Sequence, residues 1–137
     1  MATKKFLDDT GLTHFWAAIK SALGAKQDIV DYTTAEQDTG IKWVDGSTIY
    51  QKTVNLGTLP NATTKNVAHN ISNLKAIIKL ETIATNGTTY ASLPFVNTSA
   101  VASNINVNAN GTNIVIMTGT NRTTWSAYTT VYYTKTS

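Results

Sequence analysis

The chain has 137 residues, the length of one ordinary domain, and no cysteine, which excludes disulfide scaffolds and thiolate-based catalytic or metal sites. The net charge is +3, but the cations are scattered along the sequence, so we expect no nucleic-acid partner. No apolar run is long enough for membrane insertion. Asp8 and Asp9 stand where a signal peptide needs its apolar stretch, so we expect a protein that is not exported.

The N-terminal segment, residues 1–24, contains the one convincing helix. Apolar residues recur at spacings of three and four over positions 11–23, and Gly24 stands where a C-terminal cap belongs. A lone helix of this length is marginal in water, so its apolar face must pack either on the following domain or against copies of itself. The residues that we predict to mediate self-association are Leu12, Phe15, Trp16, Ile19 and Leu23.

Residues 25–39 are polar and lack periodicity, so we interpret them as a linker. Everything from residue 40 to 137 has the pattern of a β domain: 25 Thr and 13 Asn in the whole chain favour short strands joined by tight turns. The turn dipeptides are Asp45-Gly46, Asn86-Gly87 and Asn110-Gly111. The predicted strands span 41–44, 49–56, 66–71, 74–84, 89–96, 104–107, 113–118 and 127–135. We therefore predict a mainly β protein, an antiparallel, jelly-roll-like β-sandwich preceded by a short α-helix.

The residues offer little support for catalysis, and we expect no enzyme, cofactor or metal site. The predicted sandwich holds only Asp45 and Glu81 as carboxylates, and neither a G-x-S-x-G nor an H-E-x-x-H motif is present. We interpret His14 as a solvated helix residue and His69 as a satisfied sheet residue. If the chain forms a trimer, one His69 from each copy could bind an ion on the axis, and this alternative stays open.

Aromatic side chains near the C-terminus form the best candidate binding surface. Arg122 and Trp125 lie in a predicted loop, and Tyr128 follows at the start of the last strand. Exposed rings among amides and hydroxyls can stack on a sugar, so these three residues are our candidates for glycan binding. The alternative is that the rings close the sandwich edge or a subunit interface.

Three segments of the chain resemble phage and prophage fibre proteins. The first is Lys5–Trp16 (KFLDDTGLTHFW), followed by Ala25–Asp28 (AKQD). The second is Gly40–Thr53 (GIKWVDGSTIYQKT), which looks like the hairpin that opens the C-terminal β domain of such fibres. The third is Tyr132–Thr136 (YYTKT), which is similar to their closing strand.

The resemblance implies a homotrimeric virion fibre made in the bacterial cytoplasm. Its N-terminal segment would join other virion proteins, and its sandwich would face the host surface and bind a glycan there. A capsid (head) fibre or decoration protein with a purely structural role is the alternative. A cell-surface adhesion module is a more distant one, and the expected lack of export argues against it.

Overall fold

The computed structural model describes residues 9–24 and 31–136. The chain divides into two units, Met1–Val30 and Asp31–Ser137. Positions 1–8 of the N-terminal segment and positions 25–30 of the predicted linker lie outside the described residues. None of the helices in the described ranges is long and apolar enough to cross a membrane.

The helix α1 spans Asp9–Gly24, slightly longer at both ends than the predicted 11–23. Its apolar face remains open: Leu12, Phe15, Trp16 and Leu23 keep between 54% and 59% of their surface exposed. Ile19 is half-buried.

Eight strands form two antiparallel sheets in the second unit, which confirms the predicted β-sandwich. The strands are β1 (Gln37–Lys42), β2 (Thr48–Thr58), β3 (Thr64–Ala68), β4 (Leu74–Thr85), β5 (Tyr90–Leu93), β6 (Ile105–Ala109), β7 (Asn113–Thr118) and β8 (Ser126–Lys135). The larger sheet has the order β1-β2-β8-β4-β5, and the smaller one has the order β3-β7-β6. A short 3-10 turn, Val101–Ser103, precedes β6.

The strands pair in a nested way. β2 pairs with β8 in the larger sheet, and β3 pairs with β7 in the smaller one, so strands from the two ends of the unit meet in both layers. This winding is the jelly-roll-like feature of the sandwich. The core lies between the sheets, because alternate residues of each strand point inwards. Its most buried apolar side chains are Leu56, Leu59, Ile105, Ile114, Ile116, Val131 and Tyr133.

Asparagine builds several of the turns. The side-chain oxygens of Asn86 and Asn110 each accept hydrogen bonds from backbone N–H groups two and three residues later. Both residues stand at the hairpin joints predicted from their Asn-Gly dipeptides. In the β1–β2 connection, Asp45 accepts from the Ser47 N–H, and Gly46 adopts a φ of +82°, a conformation that glycine tolerates best.

The start of the β unit differs from the prediction. Strand β1 covers residues 37–42 instead of 41–44, so positions 37–39 of the predicted linker belong to the sheet. Positions 43 and 44 of the predicted strand belong to the β1–β2 turn, because the Gly46 N–H donates to the Trp43 carbonyl. Residues before β1 continue along the edge of β2, where the Thr33 carbonyl accepts from the Thr53 N–H at 2.8 Å.

Glu36 connects the residues that precede β1 to the core. Its carboxylate accepts a 2.6 Å hydrogen bond from the hydroxyl of the buried Tyr133 and forms a 2.8 Å ion pair with Lys135. Burial raises the pKa of Glu36, but these hydrogen bonds and the nearby lysine charge outweigh it, so the pKa lies below its ordinary 4.5. Burial and the same carboxylate raise the pKa of Tyr133.

We predict that Tyr133→Phe lowers the free energy of unfolding by about 1–2 kcal/mol at pH 7, because a hydrogen bond to a charged group is lost. Since the folded-state pKa of Glu36 is depressed, its stabilising effect is complete above about pH 4.5 and is lost as the pH falls through the folded pKa. Urea unfolding at pH 7 and at lower pH should therefore show the difference from wild type shrinking in acid. Tyr128→Phe, at an exposed ring, is the control. An equal loss at all pH values would contradict the role of the Glu36 charge.

Candidate functional site

The outer face of the larger sheet carries a row of polar and aromatic side chains. Residues that pair directly across antiparallel strands share a face, so the register defines this surface. Thr130 pairs with Thr53 on one side and with Glu81 on the other. Two residues earlier on β8, Tyr128 pairs with Ile83. Two residues later, Tyr132 pairs with Lys79.

A groove of about 650 Å³ lies on this face, within the range of about 300–1,000 Å³ that is usual for small-molecule sites. Tyr128, 53% exposed, and Tyr32, 72% exposed, are its aromatic lining residues. Thr130 is nearly buried, and its hydroxyl lies 3.0 Å from that of Thr53. The groove therefore combines two open rings with a pair of hydroxyls.

Glu81 supplies the charge of the groove and is held in place from two sides. The Tyr132 hydroxyl donates to its Oε2 at 3.0 Å, and Lys79 Nζ lies 2.6 Å from its Oε1. The hydrogen bond from Lys79 is the main reason that the pKa of Glu81 is lowered. Burial, the hydrogen bond to Glu81 and the nearby Tyr32 raise the pKa of Tyr132.

This arrangement can bind an amphipathic ring compound. Tyrosine presents an apolar face and a polar edge, and the carboxylate of Glu81 has acceptor capacity beyond the two bonds that it makes. Its side chain is 44% exposed, so the unused lone pairs can be reached. Stacking surfaces beside hydrogen-bond acceptors are what a hydroxylated ligand needs.

The structure separates the three residues predicted to bind glycan. Arg122 lies over Trp125, with the guanidinium carbon 5.9 Å from the ring centroid, and Arg122 Nη2 donates to the Ser103 carbonyl at 3.0 Å. Trp125 is half-buried and packs against the core. Tyr128 lies on the outer face and lines the groove. These contacts give Arg122 and Trp125 a packing role in the loop before β8.

His14 has the predicted surroundings, whereas His69 lies just after β3, which spans 64–68 instead of the predicted 66–71, so it is not a sheet residue. His14 is exposed on α1. His69 is 2% exposed, its Nδ1 accepts from the Ile71 N–H at 3.1 Å, and its Nε2 lies 3.2 Å from the Asn110 carbonyl. With both ring nitrogens occupied, His69 has no lone pair to offer an ion on an axis. Within the described ranges, no group of three or more His, Asp or Glu could hold a metal.

Tyr32, Glu81 and Thr130 are groove residues that the sequence reasoning missed. Tyr32 fell within the predicted linker, and Thr130 is one of 25 threonines, so its residue type did not single it out. The alternation of β8 indicated that Tyr128, Thr130 and Tyr132 share a face, but nothing local indicated which strands flank them.

No protein-family model matches this chain, and neither the curated proteins nor the solved structures include a significant match.

We predict that Trp125→Ala lowers the free energy of unfolding by about 2 kcal/mol, less than the 3–5 kcal/mol typical of a fully buried tryptophan because this ring is half-buried. Thermal or urea unfolding measures the change. Tyr128→Ala is the matched control and should alter stability by less than about 0.5 kcal/mol, as surface substitutions do. If Trp125→Ala left stability unchanged, the packing role would be wrong and a binding role would be favoured.

Proposed function

We propose that the protein is a homotrimeric phage virion fibre whose N-terminal helix mediates assembly and attachment to other virion proteins, and whose β-sandwich attaches to host-surface glycans. The observation that carries the proposal is the open apolar face of α1. Soluble proteins rarely leave contiguous apolar surface exposed unless it marks an interaction site.

The spacing on α1 supports self-association. Leu12, Phe15 and Ile19 follow one another at intervals of three and four, as the a and d positions of a coiled coil do. Three copies could bury these side chains together with Trp16 and Leu23, which one short helix cannot do. The resemblance of residues 5–16 to fibre proteins points in the same direction.

Trimerisation would also make weak attachment effective. Three sandwiches joined at their N-terminal helices would present three grooves to one surface, and linked sites can exceed the affinity of a single site by roughly 10²–10⁴-fold. A shallow groove with two tyrosines therefore suffices for a fibre, although it would be a poor site on a monomer.

We predict that the intact chain has the mass of a trimer in light scattering and that Phe15→Ala with Ile19→Ala converts it to a monomer, because the apolar face is truncated. The control is His14→Ala with Ser21→Ala, which changes two exposed positions on the opposite side of α1. Circular dichroism should show that the sandwich still folds in both variants. A monomeric wild-type chain would overturn the trimer.

Attachment is tested by the retention of labelled wild-type protein on immobilised bacterial surface polysaccharides and on whole bacteria. We expect retention by at least one of them and about 100-fold weaker retention of the monomeric double variant, because avidity is lost. A trimer that none of these surfaces retains would contradict attachment. It would favour the alternative of a structural capsid fibre or decoration protein.

A further inference from the structure

We infer that the groove on the outer face of the larger sheet is a subsite for an uncharged pyranose sugar, stacked on Tyr128 and Tyr32 and hydrogen-bonded to Glu81. This inference rests on the proposed attachment function and names its ligand class and its residues. Tyr32, which precedes the first strand, is part of the site.

The spacing along β8 gives the groove the right dimensions. Tyr128 and Tyr132 are four residues apart on one face, which places their backbones about 13 Å apart. Tyr32 also lines the groove; it precedes Thr33, whose carbonyl accepts from the Thr53 N–H, and its hydroxyl is near enough to that of Tyr132 to help raise the pKa of Tyr132. Thr130 lies halfway between, with its hydroxyl paired to Thr53. The resulting slot is wide enough for a sugar ring between two aromatic side chains.

The rings indicate a ligand with an apolar face. A pyranose with equatorial hydroxyls has axial C–H groups on both faces and hydroxyls around its rim. Tyr128 and Tyr32 are each more than half exposed, and their rings offer stacking surfaces for these C–H groups. Hydroxyls of Thr53 and Ser92 also line the groove and can bond to the rim.

The charges indicate an uncharged ligand. Glu81 is the charged side chain that lines the groove in the described part of the chain. Its partner Lys79 already holds Glu81 at 2.6 Å and lies 4.9 Å from the centroid of the Tyr132 ring, so its positive charge is matched. A uronic or sialic acid would bring a second carboxylate towards Glu81 without an unmatched cation to receive it. Neutral hydroxyls, by contrast, can donate to the free lone pairs of the carboxylate.

Calorimetry or ligand-observed NMR on the full chain tests the class. The probes are the methyl glycosides of glucose, galactose and N-acetylglucosamine, together with glucuronic and galacturonic acid, which carry a carboxylate at C6. We expect at least one neutral probe to bind, and its acidic counterpart to bind at least fivefold more weakly. Failure of every neutral probe, or equal binding of the acid, overturns the inference.

Variants locate the site. Tyr128→Ala and Tyr32→Ala should each weaken binding of the neutral probe about tenfold, since stacking contributes about 0.5–1.5 kcal/mol beyond the buried area. Tyr128→Phe should retain it. The matched control is Tyr90→Ala, because Tyr90 is 71% exposed on β5 and does not line the groove. If Tyr128→Ala and Tyr32→Ala bind as wild type does, the groove is not the site.

Glu81→Gln tests the charge argument separately. The amide keeps an acceptor oxygen but removes the negative charge and frees Lys79, so the preference for the neutral probe over its acid should fall to less than twofold. An unchanged preference contradicts the role that we assign to Glu81. If Tyr128→Ala keeps its retention on polysaccharide, the attachment function stands but the groove is not the sugar site. If wild type is not retained on any polysaccharide or cell, both the attachment function and the sugar site are wrong.

Discussion

The last strand of the chain, β8, lies at the centre of the larger sheet, and the rest of the β unit depends on its two ladders. It pairs with β2 on one side and with β4 on the other, so the β1–β2 and β4–β5 pairs are joined into one sheet only when the C-terminal residues are in place. Thr129 pairs with the Thr82 hydroxyl at 2.6 Å, which satisfies buried groups that would otherwise be costly. A register slip of one residue would move Tyr133 out of the core and Tyr128 into it, so the same pairing fixes both the core and the groove.

Local signals in the sequence were sufficient for most of the fold. Asn-Gly and Asp-Gly dipeptides located three hairpin joints, and the strand predicted at 74–84 is β4, Leu74–Thr85. The predicted bounds of β7, 113–118, are those of the structure. The start of the β unit could not be found in this way, because residues 31–39 are polar and their partners lie far along the chain. Glu36 is held by Tyr133, 97 positions later, and no local pattern reports such a contact.

The candidate site was only partly predictable for a related reason. Tyr128 was recognisable as an aromatic residue in a polar setting, but so was Trp125, which the structure packs against the core. Arg122, the third candidate, donates to the Ser103 carbonyl. What separates them is burial, which depends on strand order. The groove needs β8 beside both β2 and β4, and many strand orders are compatible with the same eight strands. The alternation of inward and outward residues can be read within each strand. Which strands lie beside it, and so which side chains complete the outer face, cannot.

Residues 31–36 connect the stability of the β unit to its groove. The Asp31 carbonyl accepts from Gln51 Nε2, the Thr33 carbonyl accepts from the Thr53 N–H, and Glu36 bonds to Tyr133 and Lys135, so Tyr32 lies in a segment attached at both ends. Segments outside the strands open at lower free energy than the core. Since the pKa of Glu36 is depressed by the bonds that hold it, acid weakens this attachment as the pH falls through that value. Sugar binding that depends on Tyr32 should therefore weaken in a Glu36→Gln chain at neutral pH, where Glu81 keeps its charge, while circular dichroism still shows a folded sandwich.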